Sequence, residues 1–310
     1  MWPQADSAPS LRIHLWGLQE IARETPLEGG SVGVRCCFRE SHGNVDSPNQ
    51  RLFEDEIVAD LLPIPARLLL RSPAICAALT ALFEAFAPGI PGALLCRTRR
   101  IDDAVRDAVR GGLSALVILG AGLDTRPCRL PELACLHILD VDLPHIQEFK
   151  KRRLSRLGVL PSNLRFVSTD FNTERLDRAL ERGGLRPSEP AVFVWEGVSQ
   201  YLKSDAADSV FRSIAERPKR TELVFTYVLE EVISGMIRPG RSESFRKSVK
   251  RLPEPWYFGV DPSQLSGFLA ARGLTLHGDF GAQDYQAHYL RPVGRQLEVS
   301  EIERVAIATV

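Results

Sequence analysis

Acidic residues stand at or just beyond the ends of three short apolar segments. Asp140 and Asp142 close the segment around LHILDV (136–141), Asp170 follows LRFVS (164–168), and Glu196 follows AVFVW (191–195). Short runs of this kind are typical of buried strands in a parallel sheet, whose carboxyl ends meet at one edge. Carboxylates at that edge can accept hydrogen bonds from the hydroxyl, amino or ammonium groups of a ligand. We therefore expect these side chains to converge on one binding site.

A glycine-containing turn follows the apolar segment ALVIL (115–119). Gly120 and Gly122 allow the backbone to turn tightly and to approach a ligand that side chains would exclude. The third glycine of the dinucleotide-binding fingerprint would fall at position 125, where Thr125 stands, so a pyrophosphate packed against the next helix is disfavoured. A turn of purely structural meaning remains the alternative.

Asp142 and Asp140 are candidates for binding a ribose. They lie about twenty residues after the glycine turn, where an acidic side chain can accept both ribose hydroxyls of a nucleoside. Both point to the same face of the strand, because strand side chains alternate. The alternative for each is a helix cap, since Leu143-Pro144 suits the start of a helix.

The pair Asp170-Phe171 suits an adenine base. The carboxylate can accept a hydrogen bond from the amino group of the base, while the aromatic ring supports its face. Capping of the following helix is the alternative for Asp170.

Glu196 and Arg97 are two further charged candidates. Glu196 leaves a fully apolar strand, and burying a carboxylate without a cation is unfavourable, so a positive group should lie beside it. Arg97 begins a helix before the first strand and could bind a ligand carboxylate with its planar guanidinium. The alternative is that Arg97, like Arg99 and Arg100, is a solvated surface residue.

The elements that must position these residues form an α/β pattern. Apolar periodicity predicts helices at 51–62, 72–87, 96–110, 143–157, 173–183, 204–216 and 262–272, and strands at 115–119, 136–141, 164–168, 191–195 and 222–226. The alternation predicts a doubly wound parallel sheet with right-handed crossovers. Two terminal segments, 275–278 and 304–310, are expected to add an antiparallel edge. We divide the chain into a helical amino-terminal cap (1–95) and a core (96–310) with a lid insertion at about 227–260.

Composition narrows the function classes. Lys and Arg total 39 against 39 for Asp and Glu, and this balance argues against a nucleic-acid partner. The six cysteines contain no C-x-x-C pair, which favours reduced thiols in a cytoplasmic protein. No membrane segment and no histidine or cysteine spacing typical of a metal site is visible. We expect a small-molecule partner.

The ordered motifs resemble those of the leucine carboxyl methyltransferase-like family of S-adenosylmethionine-dependent methyltransferases. The motifs are R-T-R at 97–99, L-G-A-G-L-D-T-R at 119–126, D-V-D-L-P at 140–144, V-S-T-D-F at 167–171 and W-E-G-V-S-Q-Y-L at 195–202, with F-E-D at 53–55 a fainter match. The resemblance implies a class I methyltransferase (Rossmann-like) fold with a helical cap, and S-adenosylmethionine as the cofactor. The chain departs from the family in reading Asp-Val-Asp where Glu-Val-Asp is common, and in its amino-terminal stretch Ser31–Arg35.

The same resemblance implies a role for each motif. It implies that Arg97 holds the methionine carboxylate, and that Gly120 and Gly122 lie against the methionyl portion. It further implies that Asp142 binds the ribose, that Asp170 and Phe171 bind the adenine, and that Glu196 lies beside the methionyl amine.

These inferences predict an O-methyltransferase acting on a carboxylate, or another hydroxyl oxygen, of a small metabolite. A carboxylate is already ionised near neutral pH and needs no general base. A phenol or alcohol would need one, and His288, Tyr201 and Tyr289 are the candidates. Gln200, Tyr201, Trp256 and Tyr257 are candidates for the acceptor pocket, with core packing as the alternative. Two other functions stay open, an NAD(P)-dependent oxidoreductase and a non-catalytic relative that binds S-adenosylmethionine.

Overall fold

A seven-stranded sheet lies at the centre of the structure, a computed structural model that describes residues 48–62, 67–68, 71–236 and 256–310. The order across the sheet is β3-β2-β1-β4-β5-β7-β6; β1 to β5 run parallel, and β7 is antiparallel to both of its neighbours. The strands are β1 Ala115–Leu119, β2 His137–Asp142, β3 Leu164–Ser168, β4 Val192–Trp195, β5 Glu222–Val228, β6 Thr275–Phe280 and β7 Glu303–Thr309. The predicted doubly wound sheet with an antiparallel edge is confirmed.

Helices cover both faces of this sheet. The α-helices are α1 Val58–Leu61, α2 Pro73–Phe86, α3 Ile90–Arg110, α4 Arg126–Arg129, α5 Pro144–Leu157, α6 Leu176–Arg182, α7 Ser204–Ala215, α8 Glu230–Ser234, α9 Leu265–Ala270 and α10 Ala282–Tyr285. A π-helical turn, Gln286–Leu290, extends α10, and short 3-10 turns include Ser199–Tyr201 and Pro262–Gln264. Among the described residues, no helix is both long enough and apolar enough to cross a membrane.

The central strand β1 explains why the sheet is buried on both sides. All five of its residues are buried. Leu116 and Ile118 belong to the core on the face covered by α3, whereas Val117 and Leu119 belong to the core on the face covered by α6 and α7. An uninterrupted apolar run therefore suits a strand that packs against helices on both faces.

The antiparallel edge brings the start of β7 to the functional side of the sheet. Glu303, the first residue of β7, pairs with Val228 at the end of β5. An antiparallel strand begins where its parallel neighbours end. A residue far along the chain thus joins the carboxyl edge.

Two predicted helices have different bounds in the structure. The helix predicted at 51–62 is wrong for 51–57, because helix α1 covers only Val58–Leu61. Leu52 and Phe53 are buried in irregular backbone, so the apolar residues before α1 reflect packing and not helical periodicity. The helix predicted from residue 96 begins earlier, at Ile90 after Gly89 and before Pro91, so the boundary that we placed at 95/96 falls inside α3.

Parts of the predicted cap and lid lie outside the described residues. These are residues 1–47, 63–66 and 69–70 of the cap at 1–95, a range that includes Ser31–Arg35, and residues 237–255 of the lid at 227–260. Within the described remainder of the lid, Trp256 and Tyr257 return to the sheet edge, where the Tyr257 N–H donates to the carbonyl oxygen of Gln200 at 2.7 Å. The lid itself stays a prediction.

Candidate active site

The turn after β1 is held by its two glycines. Gly120 and Gly122 have φ angles of +61° and +48°, a region that side-chain-bearing residues rarely adopt. A Cβ atom on Gly120 would lie 2.4 Å from Cγ2 of Val198, in the loop after β4. The Gly120 N–H donates to the Val141 carbonyl oxygen at 2.8 Å, which fixes the turn beside β2. Glycine is therefore required at position 120 by both conformation and space.

Asp142 connects this turn to the end of β2. Its Oδ2 accepts a hydrogen bond from the Gly122 N–H at 2.6 Å, and its Oδ1 accepts one from the Leu143 N–H at 2.7 Å. Burial raises the pKa of Asp142, while these two backbone donors act in the opposite direction. The carboxylate lies at the strand tip beside the glycine turn, the position that a ribose-binding acid requires.

Asp140 has a different environment from Asp142. Its carboxylate is fully buried and pairs with the ammonium group of Lys150 on α5. Burial raises the pKa of Asp140 to about 6, although Lys150 opposes the shift. The helix-cap alternative for Asp140 is wrong, because its side chain reaches the middle of α5 and not its first turn.

Asp170 and Phe171 follow β3 at the same edge. Oδ1 of Asp170 accepts hydrogen bonds from the backbone N–H and the side-chain amide of Asn172, at 2.9 Å and 3.0 Å. Asp170 thus orders the turn after β3 and does not cap α6, which begins only at Leu176. Phe171 is partly buried against the core.

Glu196, at the end of β4, lies between two arginine side chains. Nε and Nη2 of Arg97 lie 2.9 Å and 2.8 Å from Oε1 of Glu196, and Nη1 of Arg126 lies 2.8 Å from Oε2. The expectation of a positive group beside Glu196 is confirmed. Arg97 also pairs through Nη1 with Glu303 of β7. Burial alone would lower the pKa of Arg97, but Glu303 and Glu196 outweigh burial and raise it.

Arg126 connects Glu196 to further charged residues around the turn after β1. We call the whole group the charged cluster; its members are Asp55, Asp102, Asp124, Glu196, Glu303, Arg97, Arg126 and Arg129. The Arg126 guanidinium is fully buried and binds Asp102 of α3 at 2.7 Å and Asp124 of the turn. Asp102 also receives two hydrogen bonds from Arg129, each 2.7 Å long. Burial would raise the pKa of Asp102, but Arg129 and Arg126 lower it. The network ties the turn after β1 to α3 and to the tip of β4.

The F-E-D stretch also reaches this turn. Asp55 accepts a hydrogen bond from the Thr125 hydroxyl at 2.7 Å and lies 3.6 Å from Nε of Arg129. Arg129 in turn stacks over the Phe53 ring, 5.4 Å from its centroid. Residues before α1 therefore contact the charged cluster directly.

The four aromatic and amide candidates for the acceptor pocket lie together. The rings of Tyr201 and Trp256 meet edge to face, with their centroids 6.4 Å apart. The backbone hydrogen bond from Tyr257 to Gln200 joins the loop after β4 to the end of the predicted lid. Gln200 is 5% exposed, and its Oε1, like Nε1 of Trp256, is buried with no hydrogen-bond partner among the described residues. The Gln200 oxygen can accept a hydrogen bond from a bound substrate molecule, and the Trp256 N–H can donate one to it.

His288 and Tyr289 have other neighbours. His288 is exposed on the π-helical turn, with Nδ1 2.8 Å from the Asp284 carbonyl oxygen. The Tyr289 hydroxyl donates to Asp103, in the middle of α3, and burial raises the pKa of Tyr289 to about 12. Both side chains are therefore engaged away from the acceptor-pocket candidates.

Sequence reasoning missed three members of the charged cluster, Asp102, Arg129 and Glu303, and named Arg126 only as part of a motif, with no role. The D-T-R run at 124–126 was a usable signal, because a charged triplet directly after a buried strand and a glycine turn cannot easily avoid burial. Glu303 gave no local signal, since its place at the edge depends on the antiparallel pairing of β7.

Comparison with known sequences places these residues in a family. The sequence model of the leucine carboxyl methyltransferases matches residues 38–215, more than half of the chain. The chain belongs to the leucine carboxyl methyltransferase family. The matched range includes every motif from R-T-R to W-E-G-V-S-Q-Y-L on which the resemblance rested.

Relatives of this leucine carboxyl methyltransferase family member are provisionally named S-adenosyl-L-methionine-dependent methyltransferases. One from Mycobacterium marinum is 31% identical over 194 residues, which is 58% of each chain. One from Mycobacterium bovis is 32% identical over 209 residues, 64% of this chain and 66% of the relative. The matches therefore span less than two thirds of the length of these relatives.

Solved structures share the fold. A protein from Thermobifida fusca, provisionally described as a methyltransferase, aligns with a TM-score of 0.53 and 16% identity over 76% of this chain and 88% of its own. A DUF574 family protein from Streptomyces avermitilis aligns with a TM-score of 0.52, also at 16% identity, over 76% and 90%. These likenesses confirm the class I methyltransferase (Rossmann-like) fold.

Proposed function

We propose that this chain transfers the methyl group of S-adenosylmethionine to a carboxylate oxygen of a small metabolite. The observation that carries the proposal is the pairing of Arg97 with Glu196 at the tip of β4, beside the glycine turn and Asp142. Family membership and the names of the relatives support the cofactor.

The charge of the cluster fits this cofactor. Five carboxylates (Asp55, Asp102, Asp124, Glu196, Glu303) face three guanidinium groups (Arg97, Arg126, Arg129). Among the described residues, the cluster thus carries two negative charges in excess. S-adenosylmethionine offers an ammonium and a sulfonium to these anions, and a carboxylate to a guanidinium.

Each strand tip has a distinct task in this proposal. Asp142 binds the ribose hydroxyls, Asp170 and Phe171 bind the adenine, and Glu196 binds the methionyl ammonium. Arg97 binds the methionyl carboxylate through N–H groups that its bonds to Glu196 and Glu303 do not use. When bound, S-adenosylmethionine supplies a methyl group on a positively charged sulfur.

Two of the three candidate general bases are poorly suited to activate a phenol or an alcohol, which favours a carboxylate acceptor. The Tyr289 hydroxyl is bound to Asp103 and has a raised pKa, so it is a poor general base. His288 lies on an exposed turn and bonds to backbone. An ionised acceptor needs no base, and catalysis then depends on positioning and on exclusion of water. Gln200 and Trp256 would orient the acceptor.

An oxidoreductase is the weaker alternative. The helix after the glycine turn, α4, is a single turn of four residues, so few backbone N–H groups and little helix dipole are available for a pyrophosphate. Thr125, which stands at the third fingerprint position, is fully buried and bonded to Asp55.

The test is product analysis with S-adenosylmethionine carrying a tritiated methyl group. The purified protein is incubated with panels of small carboxylic acids, phenols and alcohols. A carboxyl methyl ester releases volatile methanol after mild alkali, whereas a methyl ether does not. We expect alkali-labile product from at least one acid, and none with Asp142→Asn. An alkali-stable product would contradict the carboxylate assignment, and intact cofactor binding without any product would favour a non-catalytic relative.

A further inference from the structure

Glu303 occupies a position at the carboxyl edge that none of the sequence motifs includes. It is the first residue of β7 and pairs with Val228 at the end of β5. Its Oε2 accepts a hydrogen bond from Nη1 of Arg97. The antiparallel edge strand thus brings a carboxylate to the same arginine that Glu196 contacts from β4.

Arg97 is enclosed more deeply than the two carboxylates that flank it. Its side chain is 6% exposed, against 17% for Glu196 and 16% for Glu303. The two acids are therefore the more accessible members of the trio.

Tyr285 is a buried neighbour of this trio. It is 1% exposed, interacts electrostatically with Glu303 and Arg97, and its hydroxyl has no hydrogen-bond partner among the described residues. Oε1 of Glu303 is likewise buried without a partner in that part of the chain. Oε1 of Glu303 therefore keeps its capacity to accept a hydrogen bond, and the low exposure of this region strengthens the attraction between the carboxylate and a cation.

We propose that Glu303 is a further cofactor-binding residue, which with Glu196 receives the ammonium group of the methionyl end. The inference rests on the cofactor site proposed above. An ammonium group has three N–H donors and is well matched by two carboxylates. The guanidinium of Arg97 has five N–H donors, of which three serve Glu196 and Glu303. The two that are left suit the neighbouring carboxylate of an α-amino acid.

Two ligands that differ only at this end provide the test. S-adenosylhomocysteine has the amino acid end, and 5′-methylthioadenosine has the same nucleoside thioether without it. We expect Glu303→Gln to weaken binding of S-adenosylhomocysteine about tenfold, because a charge-assisted hydrogen bond is lost. Binding of 5′-methylthioadenosine should stay within about twofold, as measured by isothermal titration calorimetry.

A matched control lies on the neighbouring strand. Asp279 of β6 forms a partly buried pair with Arg304, the residue after Glu303. Asp279→Asn removes a comparable ion pair at the same sheet edge and should leave the ratio of the two affinities unchanged. Glu303→Asp keeps the charge with a shorter reach, so it should weaken S-adenosylhomocysteine less than Glu303→Gln does.

Several outcomes would overturn the inference. These are an unchanged affinity of Glu303→Gln for S-adenosylhomocysteine, an equal loss for both ligands, or the same change of ratio in Asp279→Asn. If Glu303→Gln does not fold, Glu303→Asp replaces it in the test, and a loss of 5′-methylthioadenosine binding in Glu303→Asp counts against the inference. Another outcome is that the wild-type protein methylates no acid while Glu303→Gln selectively loses affinity for S-adenosylhomocysteine. That result would support the role of Glu303 in cofactor binding and contradict only the proposed methylation reaction. Wild-type protein that binds neither ligand would overturn both.

Discussion

Replacing Gly120 by alanine should destabilise the fold by about 2–5 kcal/mol and weaken binding of S-adenosylhomocysteine at least tenfold. The left-handed backbone at φ +61° contributes about 1–2 kcal/mol of this for a residue with a Cβ. The remainder is steric. The added methyl would lie 2.4 Å from Val198 Cγ2, far inside van der Waals contact, and overpacking of this kind costs about 1–3 kcal/mol.

Two further variants separate the two contributions. Gly158 ends α5 with a φ of +70°, and a Cβ added there would have nothing within 4 Å, so Gly158→Ala should cost only the conformational part and leave cofactor binding unchanged. Val198→Ala in the Gly120→Ala background should recover the steric part as a favourable coupling in a double-mutant cycle. Urea unfolding and calorimetric titration measure both quantities. Equal destabilisation by Gly120→Ala and Gly158→Ala, or zero coupling with Val198→Ala, would refute the reasoning.

Two other substitutions test the two aspartates of β2. Asp142→Asn should weaken both S-adenosylhomocysteine and 5′-methylthioadenosine by about ten- to a hundredfold in calorimetric titration, because both share the ribose; an effect on only one ligand would contradict a ribose-binding role. Asp140 has a folded pKa of about 6 against an ordinary value of 3.8, so its neutral form favours folding at low pH, and this contribution is lost as the pH rises through about 6. Asp140→Asn should therefore reduce the fall in unfolding free energy between pH 4 and pH 7 by on the order of 2 kcal/mol, measured by urea unfolding at each pH, whereas parallel pH profiles would argue against it.

Local patterns in the sequence predicted the strands well for a physical reason. A strand that is buried on both faces must be apolar along its whole length, and the segments ALVIL and AVFVW have that composition without needing any partner to be known. When the end of a strand is predicted correctly, the residues at that end are also placed correctly. Asp142 and Glu196 were therefore placed correctly at the carboxyl edge, and burial alone required a cation beside Glu196.

The partners of those residues depend on packing between distant parts of the chain. The sequence suggested for Arg97 a ligand carboxylate or a place at the surface, yet Arg97 pairs with Glu196 from β4 and with Glu303 from β7, which is 206 positions away. The stretch at 51–57 shows the same limit, since Phe53 and Ile57 stand four residues apart, as on a helix face, but lie in non-helical backbone and pack against the core.

The charge balance of the site follows from this topology. Parallel strands alone bring Asp142, Asp170 and Glu196 to the edge, and each acid could be matched by one group of a nucleoside amino acid. The antiparallel strand β7 adds Glu303, and α3 adds Asp102 and Arg97. Because the resulting excess of carboxylates surrounds a buried arginine, the cluster can bind a cation and an anion that lie next to each other. In the proposed site, that combination suits an amino acid end better than a phosphate, in keeping with the single-turn helix α4, which offers little helix dipole to a pyrophosphate.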